Sequence, residues 1–425
     1  ILDLDPANLF CGSHTMLRIT SLLLTNLLLS GTTAFVPNAN NHQQKPQTSR
    51  IPTELPVTGI KDPNNKVEYP AQISPTDAQV GAWLQSYGEE SRKYRRSYFS
   101  AGDWVRTRRP DRFVNNLATT FQSGLIRQLS IELPVITATA AFVCLYNDLF
   151  IEGWSDIYGI HHAKLINIGL PALQIPFAPF SLPVAALGLL LTFRTNVSYQ
   201  RWNEARTAWG KVINDSRSIC RMGCTWARQY ENIDDAKLQR LGETVCSFSR
   251  TLQNRLLTFQ EDEADYKKYC RTWLTDQNYA DKLYNAKHRP TAALAEITSC
   301  LVDLNLNPIH QVEVEKPITG LCDALGASER IFTSPVPTFY TRHTARFLAF
   351  WLLSMPMALY EPFKVTWNHW GMIPATVVIS GFLLGIEELA TQMEEPFSIL
   401  PMEKMCEGSI RTPVMEQVER SKRDL

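Results

Sequence analysis

The sequence predicts an all-α membrane protein, with four apolar segments in two pairs and a large helical extramembrane domain between them. Three observations lead there. Residues 165–193 carry no charged side chain, and a run of that length crosses a bilayer core of about 30 Å as a helix. From Arg194 the composition flips, and no Pro or Gly interrupts the chain before Gly210. Arg201, Glu204, Arg206 and Lys211 arrive there, while Tyr199, Trp202, Trp209 and Ile213 recur at the period of one helical face. A membrane helix is therefore expected to continue into water as an amphipathic helix. Strand-period alternation gives no signal along the chain. A helix of this kind suits a channel whose pore leads from the bilayer into an aqueous vestibule.

A chain of 425 residues is long enough for two or more structural parts. Its 42 basic and 42 acidic residues cancel, so charge gives no bias towards nucleic acid and no such partner is expected. The nine cysteines are scattered and none forms a CxxC pair. Cys220 and Cys224 stand four apart on a helix with no histidine cluster beside them. Unpaired thiols in a reducing compartment are expected, and no metal site.

Residues 1–80 read as a presequence and linker. The first fifteen precede Met16, the expected start. Arg18, the apolar run 19–29 and the small residues Thr32 and Ala34 have the form of a secretory signal, too short to span a membrane comfortably. Residues 35–53 contain no acid and are rich in Pro, Asn, Gln, Ser and Thr, as in a plastid transit segment. The junction Ala34-Phe35-Val36-Pro37 resembles that of the two-part presequences of diatoms and related algae with secondary plastids. Residues up to about 73 are expected to be removed or disordered.

Residues 81–198 hold an interfacial stretch and the first membrane pair. Trp83, Tyr87, Tyr94, Tyr98 and Trp104 are interspersed with Arg92, Arg95, Arg96, Arg106, Arg108, Arg109 and Arg112, a composition suited to an anionic leaflet surface. The pair itself is 132–148 and 165–193. Pro171, Pro176, Pro179 and Pro183 crowd its second member. Each removes a backbone donor, which lipid tolerates only where the freed groups meet protein or water, so this segment is expected to be broken and to line a cavity.

Residues 199–335 form the helical extramembrane domain. Leu238, Leu241, Val245, Phe248, Leu252, Leu256 and Phe259 step by three and four along one helix. Residues 261–269 read as a solvated turn and helix start, and 292–304 as a helix with a buried face. Residues 336–395 hold the second membrane pair, 346–361 and 365–386, with Tyr360, Trp367 and Trp370 at the interface. The first and third segments are short for a span of about 20 residues, so their polar flanks are expected to extend the helices. Residues 396–425 are a tail.

No enzyme constellation stands out: the chain has no GxGxxG, Walker loop, HExxH or GxSxG. His161 and His162 point apart and are expected in a loop. The strongest acidic group is Glu387, Glu394 and Glu395, expected to share a helix side and to pair with Arg342 or Arg346 as a structural network. No cofactor is expected.

Residues 191–210 (LTFRTNVSYQRWNEARTAWG) and 335–397, which open PVPTFYTRHTARFLAFWLL and close IPATVVISGFLLGIEELATQMEEPF, resemble the bestrophin family. The likeness is greatest to its bacterial and chloroplast branch, the voltage-dependent chloride channels of thylakoids, and it extends from about residue 92 to 401. It implies a homopentamer around one central anion pore, with four membrane helices per protomer and the helical domain on the stromal side. The implied role is a thylakoid membrane channel for chloride, nitrate or other monovalent anions that balances charge during proton pumping. Bicarbonate conduction and a non-conducting scaffold are the alternatives.

The resemblance also implies a pore neck of three residues at i, i+4 and i+8. Anchored on the Phe-Arg-Thr-Asn signature they are Ala185, Leu189 and Phe193; counted from Pro183 they are Leu182, Ala186 and Leu190. Physics supports an apolar ring, which gates by dewetting and radius, while Phe edges carry positive quadrupole density that favours an anion. Arg201 and Arg206 are the expected vestibule charges. Animal members carry an acidic calcium clasp after the fourth helix. Here Glu395-Pro396-Phe397 is followed by SILPM, which supplies almost none of the 6–8 oxygen ligands that calcium takes, so activation by calcium is not expected.

Overall fold

Structural description rests on a computed structural model, which describes residues 87–119, 123–156, 158–165, 169–229, 234–257 and 259–423. The presequence features, Met16 and the Ala34–Phe35 junction among them, lie outside the described residues.

The described chain is helical almost throughout. Four short helices lead in: α1 (Tyr87–Arg95), α2 (Ala101–Thr107), α3 (Arg112–Ala118) and α4 (Gly124–Gln128). The first membrane helix, α5 (Glu132–Asn147), runs on into a π turn at Asp148–Glu152. A two-stranded hairpin follows, β1 (Trp154–Ser155) against β2 (His161–His162), with Trp154 opposite His162. The expectation of no strand is corrected at this one place. Two-residue strands are too short to show alternation, and the His162 ring instead stacks on Trp154 at 4.3 Å.

The proline-rich segment breaks as expected. Residues 169–176 are not helical, α6 (Phe177–Ser181) is one short piece, and α7 (Val184–Ala227) starts after Pro183. The 44 residues of α7 give a rod of about 66 Å. Its first half packs with α5, α13 (Thr338–Leu359) and α14 (Met372–Glu394) around Leu187, Leu191, Leu348, Leu352, Met355 and Met372. Its second half enters a separate core with α8 (Asp235–Leu256), α9 (Phe259–Trp273), α10 (Gln277–Asn285), α11 (Arg289–Asp303) and α12 (Pro308–Thr333). One helix thus belongs to both cores.

Local chemistry sets the helix starts. Asp234, Asp276 and Asn307 each accept from a backbone N–H of the first turn, and Pro308 and Pro290 occupy first-turn positions where no donor is needed. The tail helix α15 (Thr412–Arg423) lies on α7 and α8 through Val414 and Val418. A Cβ at Gly242 would come within 2.8 Å of Val418, so only glycine lets α8 approach α15 this closely.

Phe259 begins α9 rather than ending α8, because the backbone is extended at Leu257. Residues 261–269 are also not a solvated turn. Asp262 is buried and receives both arms of Arg250 at 2.6 and 2.8 Å, and Glu263 receives both arms of Arg289 at 2.8 Å. Tyr266 packs between these guanidinium groups, fully buried. Acids that look solvated along the chain are neutralised by arginines of neighbouring helices, 12 and 26 residues away.

Among the described residues, three helices are long and apolar enough to cross a membrane: Glu132–Glu152, Phe177–Ala227 and Trp367–Glu394. The polar flank of the third segment does extend its helix, since α13 reaches back to Thr338. The same flank, with Arg342, His343 and Arg346 in its first turns, dilutes its hydropathy.

Candidate functional site

The first half of α7 has two unlike sides. Leu187, Leu191, Arg194 and Ser198 are 1%, 2%, 6% and 1% exposed and face the chain's own core. At about 100° per residue, Ala185, Leu189 and Phe193 fall on the opposite side. All three are exposed in the single chain, Leu189 by 56% and Phe193 by 53%. In the other register Leu182 and Ala186 are also exposed, but Leu190 is half-buried and its carbonyl lies 3.5 Å from the Tyr340 hydroxyl on α13.

Arg194, the first charge after the apolar run, turns inward. It pairs with Glu387 of α14 and donates to Thr391 Oγ1 at 3.0 Å and to the Thr341 carbonyl of α13 at 3.4 Å. Arg201 also turns inward, against expectation. Its guanidinium donates to the carbonyls of Ile331 and Ser334 at 2.7 Å each and of Glu394 at 3.0 Å, the closing carbonyls of α12 and α14. A cation there complements two helix C-termini. Arg206 stays exposed.

The acidic network is built from other arginines than expected. Arg342 and Arg346 are exposed, and neither pairs with Glu387, Glu394 or Glu395 within the chain. Glu387 takes Arg194, Glu394 offers Arg201 its backbone carbonyl, and Glu395 takes Arg92 at 2.5 Å. Arg92 also donates to Ser398 Oγ at 2.8 Å, and Arg96 to the Ser398 carbonyl at 2.9 Å. The segment after α14 is thus held by guanidinium groups from α1 and the turn after it. Among the described residues, no three His, Cys, Asp or Glu side chains converge as metal ligands would.

A second buried polar cluster, absent from the sequence expectations, lies at the ends of α5 and α13 remote from the core of α8–α12. Tyr360 donates to Asp148 at 3.2 Å, and the His369 ring stacks on Tyr360 at 3.9 Å with its nitrogens 3.7 and 3.9 Å from Asp148 and Glu152. Charged groups at membrane depth are costly unless paired. The signal was available in an acid and a histidine flanking two apolar runs.

The thiols other than the exposed Cys322 behave as apolar filler. All eight described cysteines are free, and the Cys220 and Cys224 sulfurs are 3.6 Å apart. Burial pushes the Cys406 thiol up to about 12, so it stays neutral.

A long helix shared by a membrane core and an aqueous core, its outer side unpaired, defines an all-α membrane protein. Residues 103–414 match the family described as Bacterial/Fungal Bestrophin protein. The chain belongs to the bestrophin family. It is 27% identical over 344 residues to the chloroplastic voltage-dependent chloride channel 1 of Arabidopsis thaliana, covering 81% of this chain and 78% of that one. It is 26% identical over 272 residues to a voltage-dependent anion channel-forming protein of Nostoc, covering 59% and 80%. In fold it matches the crystal structure of a bacterial bestrophin homologue from Klebsiella pneumoniae, with TM-score 0.55, 23% identity and coverage of 68% and 97%.

Proposed function

We propose that this chain is an anion channel of a plastid membrane, the thylakoid, in which five copies place the outer side of α7 around one pore. Ala185, Leu189 and Phe193 then form its apolar neck and α13 is the fourth span. The observation that carries this reading is the side of α7 opposite its buried row, which none of the described elements covers. A closed ring of five turns each such residue into a layer around the axis. Relatives named as voltage-dependent chloride or anion channels support the same conclusion. The role is charge balance during proton pumping. An uncharged neck separates chloride, nitrate and bicarbonate only weakly, because all three are monovalent.

The test is planar-bilayer recording of the purified protein under chloride, nitrate and bicarbonate gradients, with the assembly mass measured in parallel. Anion-selective current from a five-chain assembly is expected. A silent assembly favours the scaffold, and dominant bicarbonate permeation moves the role to carbon supply. The plastid destination rests on the presequence and on the chloroplastic relatives. A fluorescent fusion of residues 16–76 should reach the plastid and lose that route on Phe35→Ala; secretory fluorescence with both forms rejects it.

A further inference from the structure

The outer side of α7 does not end with its apolar half. Taken from Leu189 at about 100° per residue, Ala185, Phe193, Asn196, Gln200 and Asn203 all lie within about 40° of one direction. Every one of them is exposed. The row changes character at a single point: apolar to Phe193, carboxamide from Asn196 onward. Arg201 and Arg206 lie about 100° or more from this line on the same count, and Arg201 is committed to three carbonyls.

Among the described residues, the carboxamides of Asn196, Gln200 and Asn203 have no hydrogen-bond partner. Three exposed amides, in register with the apolar row that ends at Phe193, point to a ligand outside the chain. Each offers two N–H donors and can turn its oxygen away. By helical rise they stand about 4.5, 10.5 and 15 Å beyond Phe193.

Resting on the pore reading above, we propose that Asn196, Gln200 and Asn203 form a ladder of neutral N–H donors that receives a partly dehydrated monovalent anion as it leaves the apolar neck, and that Asn196 sets selectivity. An anion that has shed water in an apolar ring needs donors at once on leaving it. Neutral amides supply them and still release the ion, as conduction requires. A guanidinium at the same place would bind an anion more tightly, which fits the inward turn of Arg201.

The test is single-channel recording of the full-length protein with the assembly size checked for each variant. Asn196→Asp places a ring of carboxylates at the neck exit, and the anion-to-cation permeability ratio should fall about tenfold or more. Asn196→Leu lengthens the dewetted segment by one layer, and unitary conductance should fall severalfold. Asn196→Gln should retain both properties. Where Asn196→Asp fails to assemble, Gln200→Glu carries the same charge test one layer further on. Phe193→Ala is recorded alongside. A changed conductance for Phe193→Ala with unchanged ratios for Asn196→Asp and Gln200→Glu overturns the ladder and leaves the pore standing. No change in any of these variants removes α7 from the pore and overturns both.

Discussion

The Arg194 guanidinium is buried against the Glu387 carboxylate, joining α7 to α14 at the level where the apolar half of α7 ends. The same arginine reaches a hydroxyl on α14 and a carbonyl on α13, so three helices meet on one charge. Removing one partner of such a pair leaves an uncompensated buried charge, at about 3–5 kcal/mol. Glu387→Gln should therefore lower the thermal midpoint of the detergent-solubilised protein strongly. The double replacement Arg194→Met with Glu387→Leu removes both charges and should recover most of the loss. A single variant as stable as wild type shows that the pair is not a pin.

Arg201 predicts a different pattern. Its three carbonyl bonds close two helix C-termini, and hydrogen bonds to charged groups are worth about 1.5–3 kcal/mol each before losses to solvent. Arg201→Ala should lower stability by roughly 2–4 kcal/mol. Ion selectivity of the channels that do assemble should be unchanged. A shifted reversal potential at full stability restores Arg201 to the vestibule.

The difference between these arginines marks what the sequence could carry. The through-running helix was legible because the charge-free run and the three-to-four-residue period meet without a break at Arg194. Period fixes which side of a helix is apolar, but not what a polar residue on the flank will meet. Arg201 therefore read as a vestibule charge, and Arg342 and Arg346 as partners of Glu387 and Glu395. The true partners, Arg194 and Arg92, sit 193 and 303 residues away along the chain, and long-range pairs leave no local pattern. Asp262 and Glu263 also sit in a run of charge yet meet Arg250 and Arg289, which lie on other helices, inside the domain.

Glu263 gives a pH dependence with a definite sign. Burial alone pushes its carboxyl up, but the two-armed contact from Arg289 outweighs this and holds it below the usual carboxylate range. A carboxyl held low in the folded state stabilises fully above its unfolded value, about 4.3, and loses that contribution as pH falls through the lowered value. Acid melts of the wild-type protein should thus lose stability below about pH 4.3, and Glu263→Gln should be less stable at neutral pH with a flatter acid limb. Parallel acid limbs in the two proteins remove Glu263 from the linkage.

Calcium gives a further test, at the tail. Glu395 and Ser398 are already engaged by Arg92, and the turn that follows supplies few oxygen ligands. Current should be the same with calcium chelated or at micromolar level. A steep rise with calcium locates ligands elsewhere in the chain.

The neck carries the remaining prediction. Leu189 and Phe193 lie one turn apart, on the same exposed side of α7. In the proposed ring of five, repetition would make each an apolar layer, whereas Ala185 would leave its own layer wider. Water and anions lose contacts in such layers, so the barrier depends on radius and on dewetting. Leu189→Ala with Phe193→Ala widens two layers at once, and unitary conductance should rise while gating weakens. Were these residues packed in a core instead, the same truncations would open cavities at about 2–5 kcal/mol each and reduce assembly and current together. The two arrangements move current in opposite directions. A well-assembled double variant with unchanged conductance and gating shifts the neck to Leu182, Ala186 and Leu190, although Leu190 would then have to leave its half-buried position beside Tyr340.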